Sequence, residues 1–221
     1  MTVTEVIDHL KQHADSRHHA GMTRFGIANE KALGVKVPHV RALAKLIKKD
    51  HDLAQKLWDT DIHEARILAT LIADPKLTTP KLIDAWTKDF KTWDVCDQAC
   101  GNLFDRTPYA IDKAFEYSKH EEEFIKRTGF VLMAELAVHD KKADDLVFIK
   151  FFPIIEREAW DNRNFVKKAV NWALRQIGKR NGTLRPLAIQ CAERILLQDS
   201  KAAKWIAGDA LRELAPPNPP R

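Results

Sequence analysis

The sequence predicts an all-α chain built as an array of stacked helix pairs, an α-solenoid, and three observations predict it. Apolar residues recur at helical spacing through almost every segment. No segment alternates apolar and polar residues around hairpin turn chemistry, since Asn181-Gly182 follows a helix instead of joining two strands. Helices that resemble one another also recur: HEARILATLIAD, IKRTGFVLMAELA, VKKAVNWALRQIG and AAKWIAGDALREL each pass from a polar start through small residues to Leu or Ile. Measured from Arg66, the corresponding points fall near Asp97, Arg127, Lys168 and Lys204, in steps of about 31, 30, 41 and 36 residues. Such steps imply helix pairs stacked into a curved body with a concave face, with a compact helical bundle as the alternative. Gly101, Gly129 and Gly208 lie inside helical patterns at a cost of about 1 kcal/mol each relative to Ala, which points to close backbone approach there.

The elements follow in order. Thr4 to Ala14 and Ser16 to Phe25 read as two short helices, followed by a connector around Gly26 and Gly34. Pro38 stands in the first turn of VPHVRALAKLIKK, where its missing N–H costs nothing. Asp52 to Thr60 and Ile62 to Ala73 come next, the second stopped before Pro75. Leu77-Thr78-Thr79-Pro80 is a start signal for KLIDAWTKDF. WDVCDQACGNLF, a helix opened at Pro108, and EEEFIKRTGFVLMAELAVHD continue the array. DDLVFIKFFPIIEREA carries an expected break or kink at Pro153. Asn162 to Lys179, Gly182 to Leu197 and Lys201 to Leu214 complete it, and APPNPPR is an extended tail.

A length of 221 residues suits one domain or one elongated helical array. The net charge of +5 is modest, so its distribution matters more. From Trp160 to Arg221 there are 12 Lys and Arg against 5 Asp and Glu, which leaves the preceding residues slightly negative. Between Asn162 and Cys191 there are seven Lys and Arg and no acid, a clustering that points to a polyanionic partner. Cys96, Cys100 and Cys191 are an odd count with no C-x-x-C pair, which indicates neither a disulfide framework nor a zinc module. The charged amino-terminal residues lack the apolar core of a signal peptide, and no run of about 18 apolar residues occurs. A reducing, cytoplasmic setting is expected, without a membrane span.

The most informative stretch is NRNFVKKAVNWALRQIGK. At about 100° per residue, Val166, Val170, Ala173 and Ile177 form one apolar stripe, and Lys168, Trp172, Arg175 and Lys179 fall opposite. A tryptophan away from the core stripe and ringed by cations suits a surface that meets nucleic acid; a second helix layer covering that face is the alternative. On the earlier helix, Trp93 and Asp97 are one turn apart and share a face with Cys100, Gly101 and Phe104. A carboxylate there suits the wall of a pocket that stabilises a developing cation, or pairs with a neighbouring arginine. Arg127 is placed to grip a phosphate or to pair with Glu123. HEAR at His63 lacks the second histidine of a zinc-protease helix, and no P-loop, GxGxxG or GxSxG is present.

Phe25-Gly26-Ile27, LGVKVPHVRALAK, EAR at Glu64, WDVCD at Trp93, KRTGFVLMAELA and RNFVKKAVNWALRQIGKRN together resemble the DNA alkylation repair proteins of the AlkD type, helical-repeat DNA glycosylases, over nearly the whole chain. The resemblance implies one domain over residues 1–214, a right-handed α-α superhelix of HEAT-like repeats, and a mobile Pro-rich tail over 215–221. It implies hydrolysis of the N-glycosidic bond of cationic alkylated purines such as 3-methyladenine or 7-methylguanine in duplex DNA, with no metal or other cofactor and no flipping of the base into a deep pocket. Carried over by position, Trp93, Asp97 and Trp172 are the expected catalytic residues. Arg127, Arg163, Lys167, Lys168, Arg175, Lys179 and Arg180 are the expected DNA contacts, in a protein expected to be a monomer. A non-catalytic module that binds DNA or a protein through its concave face is the alternative function. WDVCDQACGN departs from the family pattern around the Trp and Asp.

Overall fold

The protein is seen in a computed structural model that describes residues 1–27 and 30–215, so most of the expected tail lies outside the described residues. Every regular element among the described residues is helical. They fall into two compact units that divide after Thr107.

In the first unit α1 (Val3–Lys11) opens with a capping box between Thr2 and Glu5, and α2 (Ser16–Met22) is capped by Asp15. A single 3₁₀ turn at Thr23–Phe25 leads to Gly26, whose φ of 74° closes it. Then come α3 (Val37–Ile47), α4 (His51–Trp58), α5 (His63–Ile72), α6 (Pro80–Lys88) and α7 (Trp93–Asn102). Helices α3, α5 and α7 stack side by side as one layer. Helices α4 and α6 meet in the other through Trp58 and Trp86, whose rings stack 4.1 Å apart. Helix α5 is buried from His63 through Thr70, because the second layer covers one side and α3 and α7 the flanks.

The second unit repeats the plan with α8 (Ala110–Tyr117), α9 (Glu123–His139), α10 (Asp145–Glu158), α11 (Asn164–Arg180), α12 (Leu184–Leu196) and α13 (Lys201–Leu214). Helices α9, α11 and α13 form one layer, and α8 meets α10 through Phe115 and Phe151. The repeat is written into the hydrogen bonds. Partners in the first unit lie 31 residues apart in Trp58–Asp89 and His63–Asp94, and partners in the second lie 38 apart in Asn171–Asp209 and Arg175–Glu213.

Several local expectations change. Helix α8 begins two residues after Pro108. Helix α10 runs unbroken through Pro153, because burial of Phe151, Phe152, Ile154 and Ile155 on both sides of the proline offsets the lost backbone bond. Val131 and Ala134, which helical spacing sets on the same side of α9 as Arg127 and Glu123, are completely buried, since packing encloses this helix all round. The three cysteines are free and buried.

The helical glycines divide. A Cβ on Gly129 would lie 2.4 Å from the Ser118 backbone nitrogen, so the close approach of α8 and α9 depends on this glycine. Gly208 has no such neighbour: apart from the nearby backbone of its own helix, the nearest atom to an added Cβ is a guanidinium nitrogen of Arg212, one turn on, at 3.8 Å. Gly129→Ala is therefore expected to destabilise the protein by about 1–3 kcal/mol through overpacking. Gly208→Ala is expected to stabilise it by up to about 1 kcal/mol through helix propensity. Urea midpoints of the two variants moving in the same direction would contradict this division.

Candidate nucleic-acid interface

In the first unit the candidate residues stand on α7, and three contacts fix this helix. His63 Nε2, from the first turn of α5, lies 2.8 Å from Asp94 Oδ2. The Trp93 indole N–H donates to the Phe25 carbonyl at 2.8 Å. At the other end Asn102 donates both to Gln98 Oε1 and to Thr70 Oγ1 on α5, each at 3.0 Å. Trp93 and Asp97 are thereby held one turn apart, both half-buried. The half-buried residues of α7 are Trp93, Asp94, Asp97, Gln98, Gly101 and Asn102. Cys100 and Phe104, expected to share a face with Trp93 and Asp97, are fully buried, so neither lines a wall beside Asp97. Of the two half-buried carboxylates of α7, Asp94 contacts His63 across to α5, and Asp97 stands one turn on from Trp93.

In the second unit α11 keeps the predicted division. Val166, Val170, Ala173 and Ile177 are buried, Trp172 and Arg175 are half-buried, and Lys168 and Lys179 are exposed. The partners of the cations were not foreseen. Arg175 meets Glu213 at 2.5 Å and Asp209 at 3.6 Å, and Lys179 meets the same Glu213 at 2.6 Å. Arg163 forks onto Asp161 and donates to the Glu121 carbonyl. Lys167 lies 4.8 Å over the Trp205 ring. Arg180 donates to the carbonyls of Ala137 and Ala143 and sits over Phe148. Arg127 is only 5% exposed and donates to the Phe165 carbonyl at 2.6 Å, so it ties α9 to α11. Among the described residues, two of these seven cations, Lys167 and Lys168, make no side-chain hydrogen bond or ion pair, and of the two only Lys168 is exposed.

Sequence reasoning missed Asn171, Asp209 and Glu213. Asn171 is buried beside Trp172 and donates to Asp209 Oδ2 at 2.7 Å. That bond, with the Arg175 and Arg212 charges, holds the Asp209 carboxyl below the ordinary range. The only signal available was the spacing: these acids lie one repeat beyond the residues they serve.

This architecture, two layers of antiparallel helix pairs repeated along the chain, defines a helical-repeat protein. The family profile described as DNA alkylation repair enzyme matches residues 6–215, and the chain belongs to that family. Its fold is similar to that of a solved structure described as representing a new family of proteins related to the HEAT-like repeat DNA glycosylases, with affinity for branched DNA structures. The TM-score is 0.81 at 20% identity, over 97% of this chain and 96% of that one. No curated protein sequence matches the chain. None of the described helices is long and apolar enough to cross a membrane.

The His63–Asp94 contact has a titratable signature. Burial pushes the Asp94 carboxyl up, yet the hydrogen bond and charge of His63, with Thr92 and the Val95 amide, together hold it below the ordinary aspartate value of 3.8. A depressed carboxylate contributes its stability in full above the ordinary value and loses it as pH falls through the folded one. Asp94→Asn is expected to cost about 1–3 kcal/mol at neutral pH. The gap in urea midpoint between wild type and variant should close on acidification below 3.8; a gap independent of pH would show that ionised Asp94 is not what holds α7.

Proposed function

We propose that the protein is a DNA glycosylase that hydrolyses the N-glycosidic bond of cationic alkylated purines, of the 3-methyladenine and 7-methylguanine type, in duplex DNA. The observation that carries this reading is the pair Trp93 and Asp97, half-buried and one turn apart on a helix clamped at both ends, in a chain of the DNA alkylation repair enzyme family. A purine alkylated at N3 or N7 is already a cation, so its bond to the sugar is weak and its departure needs no acid. The C1′–N bond breaks with its electron pair passing to the base, which leaves neutral, while positive charge develops on the sugar. Asp97 supplies the opposing charge and accepts a proton from the water that adds to C1′. Trp93 offers an aromatic face to the sugar or the cationic base, a contact worth about 0.5–2 kcal/mol. In the second unit Trp172 offers a like face, and Lys168 a phosphate contact. Arg163, Lys167, Arg175, Lys179 and Arg180 act mainly through their summed field, and Arg127 by tying α9 to α11. No cofactor enters this chemistry, and the protein acts as a cytoplasmic monomer without drawing the base into a deep pocket.

A second reading is a module that binds DNA without cleaving it. It is favoured by the affinity for branched DNA ascribed to the structurally similar family, and by the engagement of most α11 cations within the protein. The two readings separate on release of free methylated base from methylated duplex DNA. The glycosylase reading expects release by the native protein, and its near abolition in Asp97→Asn with duplex affinity changed less than about threefold, because the carboxylate acts on the transition state. Native protein that binds duplex or four-way-junction DNA and releases no base would establish the second reading instead.

A further inference from the structure

The mildly negative total before Trp160 hides a strongly basic segment. From Lys31 to Lys49 the chain carries six Lys and Arg and no acid. Helix α3 and the two residues after it gather four of them: Arg41, Lys45, Lys48 and Lys49 line, with Ala44 and Leu71, an open cavity of about 470 Å³. Arg41 and Lys45 are four apart and so share one side of the helix, and Lys48, just past its end, lines the same cavity. The carboxylates that engage Arg175 and Lys179 in the second unit have no counterpart here, for the lining contains no acid. Among the described residues the side chains of Lys45 and Lys48 make no hydrogen bond or ion pair, and both residues are exposed.

Two neighbouring lysines are each held here at a cost. Burial, and then repulsion from Arg106, hold the Lys49 ammonium below the ordinary lysine range. Its hydrogen bonds to the carbonyls of Leu71 and Ala73 make it a brace for the end of α5. Lys48 follows the last residue of α3 with φ 66° and ψ −150°, a conformation that glycine adopts freely and other residues do not. A lysine in a position suited to glycine sacrifices stability for its ammonium.

We propose that this cavity is a second DNA-contact site, at which Arg41, Lys45 and Lys48 engage successive phosphodiester groups of one strand. The inference rests on the DNA-binding reading above and names a surface in the first unit for it. From Arg41 to Lys48 the helix advances about 10 Å. One strand offers a phosphate about every 3.4 Å along the duplex axis, so the three cations span about two to three of them. Arg41 Nη2 also donates to Gln98 Oε1 at 3.2 Å. Gln98 is the residue after Asp97, so backbone contact at α3 is one side chain removed from α7.

The test is binding of the full chain to a fluorescein-labelled unmodified duplex between about 50 and 200 mM salt. Lys45→Gln with Lys48→Gln is expected to weaken binding about tenfold and to flatten the dependence of log K on log salt by about two. Lys88→Gln, an exposed lysine at the end of α6, should change neither. Lys48→Gly should raise the melting temperature by about 2–4 °C while weakening DNA binding, a combination that a purely structural lysine would not produce. Wild-type affinity and salt slope in the double variant would overturn the assignment and leave DNA binding elsewhere intact. Displacement of the duplex by inorganic phosphate at matched ionic strength would make the cavity a small-anion site and overturn it too. A wild-type chain that binds no duplex would sink the DNA-binding reading itself.

Discussion

Two adjacent side chains in the first turn of α5 hold the first unit in register. His63 reaches forward to Asp94 on α7, and Glu64 reaches back to accept the backbone N–H groups of Leu33, Gly34 and Val35 at 2.7–3.0 Å. Glu64 is 1% exposed, so its charge survives burial only because those three donors replace water. The connector must bend tightly to present them. Gly34 provides the bend with φ 76°, and a Cβ there would lie 2.2 Å from the Asp15 carbonyl oxygen. One turn of α5 thus sets where α3 and α7 begin, and with them the basic cavity and the Trp93–Asp97 pair.

The second unit solves the same problem with ions. Lys126, buried in α9, contacts Glu158 at 2.8 Å and Asp161 at 3.5 Å, and Asp161 in turn holds Arg163 at the start of α11. Removing one member of such a buried cluster leaves an uncompensated charge, which costs more than the pair contributes. Cations that look alike in the sequence therefore serve different ends. Arg127 and Arg180 donate to backbone carbonyls, Arg175 and Lys179 face the carboxylates of α13, and Lys168 stays open to solvent. For Arg175 and Lys179 to grip a phosphate, Glu213 must first be displaced. A field that attracts DNA survives such pairing better than the individual contacts do.

What the sequence made legible follows from the range of the interactions. Helical period and repeat spacing are local or regular, so the all-α repeat architecture and the apolar stripe of α11 could be read directly. Partners could not, because the carboxylate that neutralises Arg175 and Lys179 lies about one repeat away, at Glu213. Enclosure was equally hidden: helical spacing sets Val131 beside Arg127 and Phe104 beside Asp97, yet both are completely buried, and Phe104 lies past the end of α7 in a short 3₁₀ turn, Phe104–Arg106. The glycines show the limit from the other direction. Gly129 and Gly208 are identical as letters, and only the position of Ser118 separates a required glycine from a dispensable one. The basic run at α3 was visible, but averaging charge over a long segment concealed it.

The arrangement of α7 bears on how a lone carboxylate can act without a deep pocket. Electrostatic stabilisation is effective when the charge is already in place and need not reorganise as the reaction proceeds. Asp97 belongs to a turn bounded by Asp94, fastened to α5 through His63, and by Gln98, which accepts from Arg41 on α3 and Asn102 on its own helix. The helix can therefore neither rotate nor slide without breaking bonds to both neighbours. Asp94 serves to hold the helix through its histidine partner, and the turn that carries Asp97 is held in place with it. Arg41 belongs both to the polar ladder that steadies Gln98 and to the cationic lining of the α3 cavity. A phosphate drawn to that cavity would pull on the side chain next to Asp97, so contact with the backbone and alignment of the carboxylate share one physical link.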